Sequence, residues 1–187
     1  MQAIDEALLG SLFGFGEAFA FWRVAARELT AFGGSAILVP LSIIVAAGLA
    51  LGGHRRRAAG LLLITLVGRL LVEGVKLALA RPRPALFDHQ VAVTSLSFPS
   101  GHAANATIVY LTLALVVAPL LTSRRWPVPA ALALAAFIGL TRPVLGVHWP
   151  SDVLGGWTLG LAWTLAAVRL LGPWMEGRPF NGPPQAT

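Results

Sequence analysis

From Leu29 to Gly53 the chain carries no charged residue, and this run decides the solvent in which it folds. As a helix the segment would extend roughly 37 Å, longer than a bilayer's hydrocarbon core of about 30 Å. Charge-poor runs then recur. The segment from about Ala58 to Ala80 is apolar at first and then carries Arg69, Glu73 and Lys76. Ala103 to Ser123 ends at Arg124 and Arg125, and Pro127 to Thr141 and Val153 to Val168 follow. The last two are short if counted only between charges. Flanking arginines snorkel, however, and tilt or local thinning takes up the difference. These runs predict an all-α integral membrane bundle of five spanning helices.

Residues 3–27 have a strong apolar face from Leu8, Leu9, Leu12, Phe13, Phe15, Phe19, Phe21 and Trp22. Glu17, Arg23, Arg27 and Glu28 interrupt it, and Gly10, Gly14 and Gly16 lower helix propensity. The segment is expected to be an amphipathic helix in the membrane interface, with a sixth spanning helix as the alternative. Asp5 and Glu6 stand where a signal peptide would be positive. Residues 1–176 read as a single membrane domain. The Pro- and Gly-rich segment 177–187 reads as a disordered tail.

Composition agrees. Hydrophobic residues make up 56% of the chain and charged ones 12%, with a mean hydropathy of +0.74. A soluble domain has about a quarter of its residues charged. The chain has no cysteine, which excludes disulfides and thiolate metal sites. Its net charge of +6 includes thirteen arginines but only one lysine, Lys76. These charges sit in short clusters between apolar runs, with no basic face of the kind that binds nucleic acid. They read instead as topology signals and lipid-headgroup contacts.

With five spans, loops 54–57 and 123–126 and the C-terminus share one side, and segments 81–102 and 142–152 share the other. The first side holds Arg55, Arg56, Arg57, Arg124 and Arg125, so the positive-inside rule makes it cytoplasmic. The second side gathers the scarce polar residues: Lys76 with Arg81-Pro82-Arg83-Pro84, Pro99-Ser100-Gly101-His102, and Arg142 with His148 and Asp152. Lys76, Arg83 and Arg142 would give a permanent positive field suited to a phosphate dianion. Ser100 and Gly101 stand just before a helix, where backbone N–H groups and the dipole favour an anion. Asp152, four residues after His148, would reach back to its imidazole. That contact would fix the tautomer and leave the other nitrogen's lone pair for phosphorus. His102 would protonate the leaving oxygen. No metal cofactor is required, because the arginines would supply the charge stabilisation.

These residues resemble the type-2 phosphatidic acid phosphatase superfamily of lipid phosphate phosphatases. The family pattern is Lys, six residues, Arg-Pro; then Pro-Ser-Gly-His; then Ser-Arg, five residues, His, three residues, Asp. Here six residues separate Lys76 from Arg83-Pro84, Pro99 to His102 follow, and Thr141-Arg142 lead to His148 and Asp152 at the family spacing. Thr141 departs from the usual serine but keeps a hydroxyl. The resemblance implies a phosphohistidine mechanism. His148 would be the nucleophile, Asp152 its orienting group and His102 the acid, with Lys76, Arg83, Ser100, Gly101 and Arg142 holding the phosphoryl oxygens.

The expected partner is a phosphorylated lipid in the bilayer, with no nucleic acid. The expected setting is a bacterial plasma membrane with the site facing outward. Undecaprenyl diphosphate is preferred, and phosphatidylglycerol phosphate, phosphatidic acid and lipid A phosphate remain open. A lipid phosphotransferase using the same phosphohistidine and a non-catalytic lipid-binding protein are the alternatives. Arg81 reads equally as a pocket residue or a headgroup contact, and Asp88 and His89 as solvated rim residues. Arg69 and Glu73 read as a structural ion pair, and Trp126, Trp149, Trp157 and Trp174 as an interfacial belt.

Overall fold

The computed structural model describes residues 2–122 and 125–177. Arg124 and the expected tail from 178 onward lie outside the described residues. Within these residues the chain forms seven α-helices and no strand. They are α1 (Gln2–Ala18), α2 (Ala20–Ala31), α3 (Ser35–Leu51), α4 (Arg55–Leu79), α5 (Gly101–Val117), α6 (Pro127–Val144) and α7 (Pro150–Met175). Helices α4, α6, α7 and α5 with its following 3-10 turn are long and apolar enough to cross a bilayer. The pair α2 and α3, bent by 46°, passes the same test together.

Two expected boundaries shift. Residues 3–27 are not one helix: they break at Phe19, between α1 and α2. The charge-free run from Leu29 is interrupted at Phe32-Gly33-Gly34, so its first residues finish α2 and the rest forms α3. Apolarity extends across that break. The turn was visible only in the glycine pair.

The chain runs back and forth between two ends. Ser35, Lys76, Gly101, Arg142 and His148 meet at one end, where they line a common cavity. At the opposite end Arg57 Nη1 donates to Val116 O at 2.8 Å, and Gly60 packs on Met175. Local chemistry sets the turns. Helix α4 stops at Ala80, which adopts the left-handed conformation (φ 46°), and Pro82 then prevents continuation. Helices α6 and α7 begin with Pro127 and Pro150, where proline's missing N–H costs nothing.

Helix α7 approaches α5 through Gly156 and Gly160, a small-xxx-small pair. A Cβ at Gly156 would lie 2.7 Å from Ser100 O, and one at Gly160 2.8 Å from Ala104 O. Only glycine permits this crossing, and close van der Waals approach is what holds helices together in lipid. Two tryptophans of α7 use glycines on neighbouring helices in another way. Trp157 Nε1 donates to Ala135 O at 3.1 Å beside Gly139, and Trp163 Nε1 donates to Ile64 O at 2.9 Å beside Gly68. In each case the missing side chain opens the carbonyl four residues earlier to the indole. Trp157 is therefore a bundle residue rather than part of an interfacial belt.

Candidate active site

Asp152 is the most heavily constrained side chain at this end. It stands in the first turn of α7, where its carboxylate accepts the Trp149 N–H at 2.9 Å and caps the helix. The same oxygen accepts Ser97 Oγ at 2.5 Å and faces His148 Nδ1 at 3.3 Å. The other oxygen pairs with Arg81 Nη1 at 2.7 Å. Asp152 is 0% exposed and His148 is 1% exposed. Such burial is tolerated only because the carboxylate is surrounded by donors.

A carboxylate on Nδ1 holds the proton there and leaves Nε2 unprotonated. Nε2 lies 3.0 Å from Arg83 Nη1. Burial, with Arg83 and Arg142 nearby, outweighs the Asp152 contact and pushes the His148 pKa down to about 3. The imidazole is thus neutral at physiological pH, with its lone pair turned toward a guanidinium.

The loop between α4 and α5 holds both Arg83 and Lys76, and the α6–α7 connection adds a further acceptor for Arg83. Arg83 Nε donates to Ser95 O at 2.7 Å and Nη1 to Val147 O at 2.6 Å. Lys76 Nζ donates to Leu96 O at 2.8 Å. Arg142 Nη1 donates to Thr30 Oγ1 on α2 at 2.6 Å, while its buried Nε has no partner. Lys76, Arg83, Gly101, His102, Arg142 and His148 line one cavity of about 230 Å³. His102 fits because Gly33 lacks a side chain: a Cβ there would lie 3.1 Å from the His102 ring.

Of the eight residues expected at the site, six share this cavity and Asp152 stands directly behind His148. Ser100 differs. Its N–H, expected to face an anion, donates to Asp152 O at 2.9 Å, and its buried Oγ has no partner. Gly101, His102 and Ala103 head α5, so no preceding turn supplies acceptors for their N–H groups. The Thr141 hydroxyl turns to Ile138 O at 2.6 Å, away from the cavity.

Other expectations need revision. Arg81 neither lines the cavity nor reaches outward to headgroups; it bridges Asp152 and Asp5 at 2.7 and 2.8 Å. Arg69 does not pair with Glu73. It donates to Ser35 Oγ at 2.5 Å, and Glu73 lines the cavity beside Lys76. Trp149 is buried next to the site, with Arg81 over its ring at 5.6 Å. Asp88 and His89 are exposed, as expected of rim residues. Ser97, Thr30, Asn105 and Asp5 were not anticipated. The available signal for Asp5 was its place four residues before Leu9, on a helix face that proves buried.

The spacing of these residues has a counterpart in known proteins. Residues 57–176 match the family model described as the PAP2 superfamily, which is most of the chain. The chain belongs to the PAP2 superfamily. Phosphatidylglycerophosphatase B of Bacillus subtilis is 39% identical over 139 residues, covering 71% of this chain and 67% of that protein. An undecaprenyl-diphosphatase of Sulfolobus acidocaldarius is 32% identical over 123 residues, covering 62% and 57%. The crystal structure of a transmembrane PAP2-type phosphatidylglycerolphosphate phosphatase from Bacillus subtilis superposes with a TM-score of 0.84 at 31% identity. The match covers 96% of this chain and 89% of that one. As a PAP2 member with phosphatase relatives, the chain is an integral membrane phosphoric ester hydrolase.

Proposed function

We propose that this PAP2 protein hydrolyses a lipid phosphate through a phosphohistidine formed on His148. The observation that carries this reading is the pairing of a neutral His148, backed on Nδ1 by Asp152, with Arg83 at its free nitrogen. A phosphoryl group entering between Nε2 and the guanidinium meets a lone pair on one side and donors on the other. Nε2 attacks phosphorus and the bond to the lipid oxygen breaks. His102, protonated once the phosphate anion offsets the charges of Arg142, Arg83 and Lys76 around it, gives its proton to that oxygen. The phosphorylated imidazole becomes cationic, and Asp152 holds its Nδ1–H. Water then attacks phosphorus, His102 takes a proton from the water, and phosphate leaves with His148 restored. Lys76, Arg83, Arg142 and the N–H groups heading α5 hold the equatorial oxygens throughout. The unpartnered Nε of Arg142, which lines the cavity, is a donor left for a ligand.

A lipid substrate suits the surroundings of the cavity. Asn105 lines it and also lines an apolar groove of about 290 Å³ between α3, α4 and α5, walled by Leu38, Val39, Ile43, Leu62, Leu66 and Val109. A headgroup in the cavity thereby has a path for its tail within the bilayer. On identity, a phosphatidylglycerophosphatase activity leads. Undecaprenyl diphosphate, favoured on sequence grounds, is the second reading and is supported by the archaeal relative.

In this reading α4 to α7 make four crossings and the bent pair α2 and α3 supplies a fifth, while α1 lies at the site end. Phe15, Phe19, Phe21 and Trp22 are exposed there, as an interfacial face requires. Arg81, Arg83 and Arg142 are held by partners around the site, and we read the cluster Arg55-Arg56-Arg57 at the opposite end as the cytoplasmic signal. The site then faces outward from a bacterial plasma membrane. The test is phosphate release from phosphatidylglycerol phosphate, undecaprenyl diphosphate, phosphatidic acid and lipid A phosphate in the presence of chelator. Turnover of at least one lipid is expected. Strict dependence on a divalent ion would overturn the mechanism.

A further inference from the structure

Asp5 is an acidic residue of a helix that precedes the family-matched region, yet it is only 3% exposed. Its Oδ2 pairs with Arg81 Nη2 at 2.8 Å and accepts Ser151 Oγ at 2.5 Å, and its Oδ1 accepts the Ser151 N–H at 2.9 Å. Arg81 Nη1 in turn donates to Ser151 Oγ and to Asp152 Oδ1, both at 2.7 Å. A closed ring therefore joins α1, the segment after α4 and the start of α7. Beyond it, Asp152 meets His148.

Each link has an electrostatic consequence. A buried carboxylate beside a neutral imidazole lacks a counter-charge, and Arg81 supplies one. A guanidinium at this distance also draws electron density from Asp152, weakening its hold on the imidazole as His148 turns cationic. Asp5 offsets that pull from the other side of Arg81. Burial works to raise the Asp5 carboxyl, but hydrogen bonds from Ser151 and Arg81 outweigh it and hold it below the ordinary carboxylate range. Asp5 is therefore ionised whenever the enzyme works, and its position at the N-terminus of α7 favours that charge further.

We propose that Asp5 and Arg81 are positioning residues for the phosphatase reaction, through which α1 sets the orientation and charge of Asp152 and so the nucleophilicity of His148. Neither touches the phosphate cavity, so their effect falls on the rate of phosphoryl transfer and not on phosphate binding. This inference rests on the reading of His148 as the nucleophile.

The test is steady-state kinetics of the full chain in detergent micelles with dioctanoyl phosphatidic acid, with inorganic phosphate as competitive inhibitor. Asp5→Asn is expected to lower kcat about tenfold while KM and the phosphate Ki stay within about twofold. Arg81→Gln is expected to cost about thirtyfold, and the double variant no more than about twofold beyond it, because Asp5 acts through Arg81. A wild-type kcat in Asp5→Asn, multiplicative losses in the double variant, or phosphate affinity lost in step with kcat would each overturn the proposal. The last pattern is that of a mere brace. His148→Asn separates the two readings. If it retains turnover, the nucleophile assignment fails; if it is inactive while Asp5→Asn is wild type, only the inference about α1 fails.

Discussion

His148 is held at both ring nitrogens by opposite charges: Asp152 Oδ2 lies 3.3 Å from Nδ1 and Arg83 Nη1 lies 3.0 Å from Nε2. The carboxylate sets which nitrogen carries the proton, and the guanidinium marks where an anion enters. Replacing His148 with asparagine keeps much of the volume and removes the nucleophile. We expect kcat to fall by about 10³-fold or more. Phosphate release measured on purified protein checks this.

Ser97 donates to Asp152 Oδ2 at 2.5 Å and lies outside the three family motifs. Ser97→Ala leaves that oxygen with fewer donors and frees the carboxylate to rotate. The expected loss is about tenfold in kcat, with little change in KM, because Ser97 does not line the cavity. Michaelis kinetics on a soluble short-chain substrate separates the two parameters.

Arg83 uses all three of its guanidinium nitrogens, on Ser95, Val147 and Leu96 as well as His148. Lysine keeps the charge but not the planar fork. Arg83→Lys is expected to weaken competitive inhibition by inorganic phosphate by about tenfold and to lower kcat as well. An unchanged inhibition constant would show that the fork is not what holds the anion.

The pH dependence of stability follows from His148. Its folded pKa of about 3 lies below the ordinary value of 6.5, so below pH 6.5 the unfolded chain binds a proton that the folded protein does not. The neutral imidazole contributes stability that is fully present above that pH and is lost as pH falls toward 3. The slope is on the order of 1 kcal/mol per pH unit at most. Melting temperatures in detergent between pH 7 and pH 4 should fall more steeply for the wild type than for His148→Asn.

Gly160 lets α5 and α7 cross, with Ala104 O 2.8 Å from where a Cβ would stand. Gly160→Leu is expected to cost about 2 kcal/mol or more through forced separation of the helices. Lower thermal stability accompanied by reduced activity would follow, since α7 carries Asp152. The melting temperature and the yield of monodisperse protein both report it.

Much of the site was legible because its chemistry depends on charged residues that a membrane chain otherwise avoids. Lys76, Arg83, His102, Arg142 and His148 stand out against apolar helices, and their spacing returns them to the same end of the bundle. The parts that stayed hidden have physical reasons. The break at Gly33-Gly34 lies in a run whose hydropathy does not change, so a continuous helix was the natural expectation, yet that turn is what seats His102. Ser100 sits in a motif, but its N–H is taken by Asp152 O, a contact set by the α5–α7 crossing and not by neighbours in the chain. Arg69 looked paired with Glu73 four residues away, and tertiary packing offered it Ser35 instead. Asp5 and Arg81 are 76 residues apart, and only the fold joins them.

The most direct measurement is rapid quenching of the enzyme during turnover of a lipid labelled with ³²P, followed by peptide mapping. The account predicts an acid-labile, base-stable label on the peptide carrying His148, absent from His148→Asn. Turnover by the wild type with no label on His148, or with the label on another residue, would contradict it.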